Sequence, residues 1–212
     1  MEDAHAPHFF PWIGSAYETG VTGGLKLLIL GESHYGNPQD KERYLTQSVV
    51  ENQLSGAARQ GFLTRVQRLV SEATDRDSVV PTETPFWHRV AFYNYVQELV
   101  GETARIRPSV GAWERSASAF VRQLEILQPH AVLVCGRALW DQLKSVDGLT
   151  DGPEINSTKP DVRSRTLHIS GRTVGVAAPI NHPASRGFKR ERWLPVVDHL
   201  LSRADRLRSR LI

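Results

Sequence analysis

Three short apolar segments constrain the fold of this chain most strongly. They are residues 25–30 (LKLLIL), 131–135 (AVLVC) and 174–178 (VGVAA), and glycine, proline or polar residues follow each of them closely. Short apolar runs with such boundaries are typical of strands that are buried on both faces, as in a parallel sheet covered by helices. Because helical patterns lie between them, the sequence predicts an α/β fold of three α/β/α layers around a central, mostly parallel sheet.

The intervening segments predict the other elements. Helical spacing of apolar residues is found in 55–73, 113–127, 137–143 and 193–201. Residues 90–96 are expected to be extended after a helical turn near Phe86. Residues 166–170 and 173–178 are expected to form a hairpin or two short strands. We expect loops in two places, around Phe9, Phe10, Trp12 and Ile13, and over the polar residues 147–165.

Two polar clusters follow predicted strands. GESHYG occupies residues 31–36 after the first apolar segment, and NHPASR occupies 181–186 after the last. In an open α/β sheet, ligands bind in the crevice outside the carboxyl ends of the strands. A carboxylate that leaves one strand and a histidine that leaves another would therefore face one substrate, which predicts an enzyme.

Length and composition set further bounds. The 212 residues, of which 40% are hydrophobic, suit a single domain over 1–212. The single cysteine, Cys135, excludes an internal disulfide, a thiolate zinc site and a cysteine-ligated iron-sulfur cluster. The sequence has neither an apolar run long enough to span a membrane nor a signal-like start, so we expect a cytoplasmic protein that does not interact with membranes. We also expect a monomer.

The net charge of +3 is small, but its distribution is uneven. Arg186 and Lys189 follow the second polar cluster, and further arginines lie near the C-terminus, at Arg203, Arg206, Arg208 and Arg210. We expect positive charge to concentrate beside the predicted site, with a solvated helix face as the alternative for the terminal arginines.

Familiar nucleotide and hydrolase motifs fit poorly. The sequence contains no Gly-Lys-Ser/Thr phosphate loop, and no GxGxxG follows the first strand. Ser33 has a glycine two residues before it but Tyr35 two residues after it, so the GxSxG motif of a serine hydrolase is incomplete. Attack by this serine is a weaker alternative.

The order of the motifs resembles the uracil-DNA glycosylase superfamily. In that superfamily a Gly-Glu/Gln-Asp/Ala-Pro motif follows the first buried strand, a strand-borne asparagine comes next, and a His-Pro-Ser motif precedes the last helix. GESHYG, Asn94 and the HPAS of residues 182–185 stand in that order here. PHAVLVCGRALWDQL (129–143) is also similar to its Pro-x-x-strand-Gly-helix segment, so the likeness extends over about residues 25–201.

This resemblance implies a DNA glycosylase that needs no metal or other cofactor and leaves an abasic site. Ser33 replaces the aspartate that activates water in the best-known branch, and His34 stands where proline is usual. In branches of the superfamily that lack that aspartate, the neighbouring acid or another polar residue takes over, which by resemblance points to Glu32. The base would be uracil, hypoxanthine or a modified pyrimidine, and the role would be repair or defence against phage.

The chemistry of glycosidic cleavage assigns roles to the residues. Positive charge develops on the sugar and negative charge on the departing base, so the site needs an anion, a positioned water and a hydrogen-bond donor. Glu32 is predicted to orient the water and stabilise the sugar cation, while His182 donates to the base. Base contacts are assigned to Gly31, Ser33, His34, Tyr35 and Asn94, and DNA contacts to Ser185, Arg186 and Lys189.

Structural alternatives exist for these residues and for the function. Glu32 can cap a turn, His182 can be a satisfied turn histidine, and Asn94 can tie backbone together. His34 and Tyr35 can be packing residues. A non-catalytic nucleic-acid-binding protein and a hydrolase of small N-glycosides are the alternative functions.

Overall fold

A seven-stranded sheet forms the centre of the protein. The computed structural model describes residues 7–37, 42–75, 84–103, 106–155 and 162–210. The strands are β1 (Trp12–Ile13), β2 (Leu27–Gly31), β3 (Val90–Asn94), β4 (Ala131–Cys135), β5 (Leu149–Ile155), β6 (Val162–Ile169) and β7 (Arg172–Ile180). They lie side by side in the order β1-β3-β2-β4-β7-β6-β5.

The sheet is parallel only at its centre. β3, β2, β4 and β7 are parallel neighbours, whereas β1 at one side and β6 and β5 at the other pair antiparallel. The α/β class is confirmed, but the expectation of a mostly parallel sheet holds for the four central strands alone. β6 and β7 are joined by the tight turn at Ser170 and Gly171, and a connection this short allows only antiparallel pairing.

Helices cover both faces of the sheet. They are α1 (Leu45–Ser55), α2 (Gly61–Asp75), α3 (Val110–Leu127), α4 (Arg137–Gln142) and α5 (Arg190–Arg208). Leu27 and Ile29 of β2 pack in one core with α2 and α5, and Leu28 and Leu30 pack in the other with α3 and α4. Alternate side chains of a strand point to opposite faces, so the buried strand contributes to two cores at once.

The helix predicted over 55–73 is wrong at its start. α1 ends before Gly56, whose φ of 77° is left-handed, and α2 begins only at Gly61. A left-handed glycine is a common end of a helix because it has no Cβ to clash. α1 itself was not predicted, since only Thr46 and Val50 are buried on it and its apolar periodicity is therefore weak.

Two segments expected to be loops contain strands. Residues 149–155 and 162–165 of the predicted 147–165 loop belong to β5 and β6, while 156–161 lie outside the described residues. β5 is an edge strand with mostly exposed side chains, so its composition resembles that of a loop. Near the N-terminus Trp12 and Ile13 pair with β3, and Trp12 Nε1 donates to the Trp87 carbonyl at 2.7 Å.

The carboxyl ends of β2, β3, β4 and β7 meet at one edge of the sheet, which we call the carboxyl edge. From β2 the chain moves to β3 on one side, and from there to β4 on the other side. Strand order therefore reverses between β2 and β4. In open α/β sheets such a reversal opens a crevice in which ligands bind.

Candidate active site

The segment after β2 is attached to the segment after β3. The Tyr95 and Val96 amides donate to the carbonyls of Gly31 and Glu32 at 3.0 and 2.9 Å. Further along, His34 forms a parallel bridge with Leu99. The backbone of the first polar cluster is thus held by hydrogen bonds at the carboxyl edge, which limits the positions available to its side chains.

Gly31 and Asn94 lie opposite each other on neighbouring strands. A Cβ at position 31 would collide with Oδ1 of Asn94, so glycine is required for this amide to lie across β2. Asn94 is 6% exposed, and no described residue hydrogen-bonds to its side-chain amide. The structure thus brings two of the predicted base-contact residues together and leaves the Asn94 amide able to bind another group.

Glu32 forms an ion pair that the sequence did not predict. Nη1 of Arg107 lies 3.1 Å from Oε1 and 3.0 Å from Oε2 of the carboxylate. The Glu32 side chain is 10% exposed and that of Arg107 is 69% exposed. Arg107 lies in a polar connection before α3, where a lone arginine carries no motif, so nothing in the sequence distinguished it.

His182 is held as a neutral hydrogen-bond donor in the turn after β7. Its Nδ1 accepts the Ala184 amide at 3.2 Å. Burial, and then the positive charge of Arg107, lower the pKa of His182 below its usual value. A neutral ring whose Nδ1 accepts a hydrogen bond carries its proton on Nε2, so Nε2 is the donor available to a ligand.

Aromatic rings and one arginine support this turn. The Phe62 ring centroid, at the start of α2, lies 5.3 Å from that of His182 and 5.8 Å from that of Phe92. Nη1 of Arg65, one helical turn later, donates to the Pro183 carbonyl at 2.6 Å. α2 thus fixes the second polar cluster against the sheet.

The other residues of the first cluster have different surroundings. His34 is buried, its Nε2 lies 2.8 Å from Thr46 Oγ1 of α1, and its ring packs against Phe9. These contacts support the packing role rather than base binding. Tyr35 is 42% exposed, and the buried Ser33 hydroxyl has no hydrogen-bond partner among the described residues.

The residues predicted to contact DNA lie in and after the second cluster. The Ser185 amide donates to the His182 carbonyl at 2.8 Å, which closes the turn. Arg186 and Lys189 are exposed, and no ion pair to either is found within the described ranges. Arg137, which begins α4 after β4, is also exposed at the carboxyl edge.

The C-terminal arginines are not beside the site, which corrects the sequence expectation. α5 begins at the carboxyl edge and runs back across the sheet, so that Arg208 lies near Gly24. After burial and the charge of Lys26, the charge of Arg208 also lowers the pKa of His130, which precedes β4. At 1.5 Å per residue, about 27 Å separate the two ends of this helix. A helix that returns along a parallel strand must carry its end to the opposite edge.

The large cavity of the protein does not coincide with the candidate site. A cavity of about 470 Å³ lies elsewhere, lined by Leu124 of α3 and by His168, Ile169 and Gly171 around the β6–β7 turn. It contains none of the predicted site residues. Among the described residues there is also no group of three histidine, cysteine or acidic side chains placed to hold a metal.

The structure thus places Glu32, Asn94 and His182 at the carboxyl edge. Arg107 donates to Glu32, and its charge, after burial, lowers the pKa of His182. An anion and a neutral donor near one another can stabilise opposite charges as a bond breaks. No helix within the described ranges has both the length and the apolar character needed to cross a membrane. The chain matches no protein-family model, and comparison with curated proteins finds no match.

Proposed function

We propose that this protein is a DNA glycosylase of the uracil-DNA glycosylase type, which hydrolyses the bond between a damaged or modified base and its sugar. The observation that carries the proposal is the placement of a buried carboxylate, Glu32, and a neutral donor, His182, after strands that share the carboxyl edge. The proposed substrate base is uracil, hypoxanthine or a modified pyrimidine. The proposal also includes action as a cytoplasmic monomer without a metal or other cofactor.

In this mechanism the two residues act on opposite charges. The glycosidic bond breaks with its electrons leaving on the base, and the sugar develops positive charge at its anomeric carbon. Glu32 stabilises that charge and orients the water that attacks there. Nε2–H of His182 donates to a carbonyl oxygen of the departing base, where negative charge accumulates.

Asn94 and Arg107 complete the proposed site. The amide of Asn94 offers N–H donors and a carbonyl acceptor, which can read the edge of a base turned out of the duplex. Arg107 is largely exposed, so its guanidinium can turn from Glu32 towards a substrate phosphate. Arg186 and Lys189 would hold the flanking backbone.

The test uses purified protein and duplex oligonucleotides that each contain one altered base, with alkali to cut at abasic sites. At least one substrate should be cleaved, and Glu32→Gln and His182→Asn should each lower the rate by about 10²-fold or more, because each removes one group that stabilises the transition state. Glu98→Gln is the matched control, since Glu98 is a partly exposed acid paired with Arg115.

Three outcomes would argue against the proposal. Absence of cleavage on every substrate, with DNA affinity unaffected by either substitution, would favour a non-catalytic nucleic-acid-binding protein. Cleavage of free nucleosides that Arg186→Ala and Lys189→Ala leave unchanged would favour a hydrolase of small N-glycosides. Full activity of the Glu32→Gln protein would contradict the proposed mechanism.

A further inference from the structure

α5 carries a row of basic side chains along its whole length, which we call the α5 basic face. It consists of Arg192, His199, Arg203, Arg206 and, in the turn just after the helix, Arg210. Successive members are separated by seven, four, three and four residues. These spacings return to the same side of an α-helix, so the five side chains lie in one line.

The arginines of this face differ from the other arginines of the same helix. Arg190 is paired with Glu72 at 2.7 Å, and Arg208 with Asp205 at 2.8 Å. None of the four arginines of the α5 basic face has an ion pair among the described residues. Pairing is thus confined to the arginines outside the face.

The acidic residues of α5 are segregated from this face. Glu191, Asp198 and Asp205 follow each other at seven-residue intervals and so form a separate line on the helix. Burial, followed by the charges of Arg203 and Arg206, lowers the pKa of His199. A merely solvated helix usually mixes the two signs, because i,i+4 pairs of opposite charge stabilise it and like charges destabilise it.

Four arginines in a line, without ion pairs among the described residues, are complementary to a polyanion, whereas His199 with its lowered pKa and buried Nε2 adds no charge to them. The α5 basic face extends over about 27 Å at 1.5 Å per residue. At 3.4 Å per nucleotide of one DNA strand, that length corresponds to about eight phosphates. The face begins next to Lys189 at the carboxyl edge and ends at the opposite edge of the sheet.

We propose that the α5 basic face binds the phosphate backbone of duplex DNA at a site separate from the candidate active site. The proposal goes beyond the proposed glycosylase activity, because it concerns sequence-independent contact with backbone away from the altered base. It rests on the proposed function in one respect, since both proposals take DNA as the partner. The contacts are electrostatic and release counterions from the duplex.

The experiment measures how the affinity for an unmodified 30-base-pair duplex depends on salt concentration. In the test variant, Arg203→Gln with Arg206→Gln, both aliphatic stems and thus most of the packing against the helix remain. Loss of two phosphate contacts should lower the slope of log affinity against log salt by about 2. A duplex of six base pairs, which is shorter than the face, should show a smaller difference between the wild type and the variant.

The control is Arg163→Gln with Arg208→Gln, which also removes two positive charges but from ion-paired arginines outside the face. Its slope should equal that of the wild type. An unchanged slope in the test variant, or an equal decrease in the control, would overturn the proposal. A test variant that loses binding to phosphatidylserine vesicles but keeps its DNA slope would overturn it in favour of a lipid surface.

The assay requires no base excision, so the two proposals can fail separately. Salt-dependent binding through the α5 basic face without excision of any base would support the DNA-binding proposal and contradict the glycosylase proposal. Normal excision with an unchanged slope in the test variant would support the glycosylase proposal and contradict DNA binding by the α5 basic face.

Discussion

At the residue scale, Arg107 connects the two halves of the candidate site. It bonds to both carboxylate oxygens of Glu32, and its charge helps to keep His182 neutral. Glu32, Asn94 and His182 could be selected from the sequence because each follows or ends an apolar segment in a particular order. Arg107 could not, because its importance derives from a contact between residues 75 positions apart.

Replacing Arg107 should change the titration of His182. In Arg107→Gln the nearby positive charge is gone, and the unpaired Glu32 favours the imidazolium, so the pKa of His182 should rise. The free energy of unfolding should fall by about 1–3 kcal/mol, because the buried Glu32 carboxylate loses its partner although the Arg107 side chain is mostly in solvent. NMR titration of the His182 ring measures the effect.

Arg115→Gln provides the comparison, since Arg115 is similarly exposed and pairs with Glu98. The His182 titration should be unaffected in that variant. An Arg107→Gln protein in which His182 titrates as in the wild type would contradict the electrostatic link.

At the element scale, several helices and strands position the loops at the carboxyl edge. The sequence predicted some of these elements and missed others. β2, β4 and α5 were predicted because burial imposes a clear apolar pattern on them. α1 and β5 were missed, because mostly exposed side chains leave little pattern. α1 nevertheless holds the first polar cluster, through the contact between Thr46 and His34.

The burial of His34 predicts acid sensitivity of the fold. Burial lowers the pKa of His34 from 6.5 to about 4. A histidine with a lowered pKa binds fewer protons folded than unfolded, so its stabilising contribution is present above pH 6.5 and is lost as the pH falls towards 4. The free energy of unfolding should fall by about 3 kcal/mol from this group between pH 7 and pH 4.

Urea denaturation of wild-type and His34→Gln proteins at both pH values isolates this contribution, since glutamine does not titrate. The loss on acidification should be smaller in His34→Gln by that amount. His88→Gln, which alters a histidine beside Ser15 outside the site, should retain the wild-type loss. Equal losses in all three proteins would show that His34 is not the sensitive group.

At the scale of the whole molecule, the sheet joins two cores into one structural unit. Trp87 and Trp193 lie in the core with α2 and α5, and Trp113 and Trp140 lie in the core with α3 and α4. Both cores include alternate residues of the same β2, β3 and β4 strands. Loss of packing in one core should therefore disturb the sheet that the other core needs, so we expect the two cores to behave as a single domain.

Unfolding should therefore be one cooperative transition. In protein labelled with fluorotryptophan, the fluorine NMR signals of Trp87 and Trp193 should disappear at the same urea concentration as those of Trp113 and Trp140. The midpoint by far-ultraviolet circular dichroism should coincide with them. Separate midpoints for the two cores would contradict a single domain.

The buried central strands, and the polar residues that leave them, could be recognised from the chain alone. Burial on both faces produces continuous apolar runs, and polar residues directly after them are conspicuous. The order of the strands, the contact between Arg107 and Glu32, and the separation of the α5 basic face from the site depended on the folded structure. Periodicity reports the surroundings of each segment separately, whereas pairing and direction arise from contacts between residues far apart in the chain.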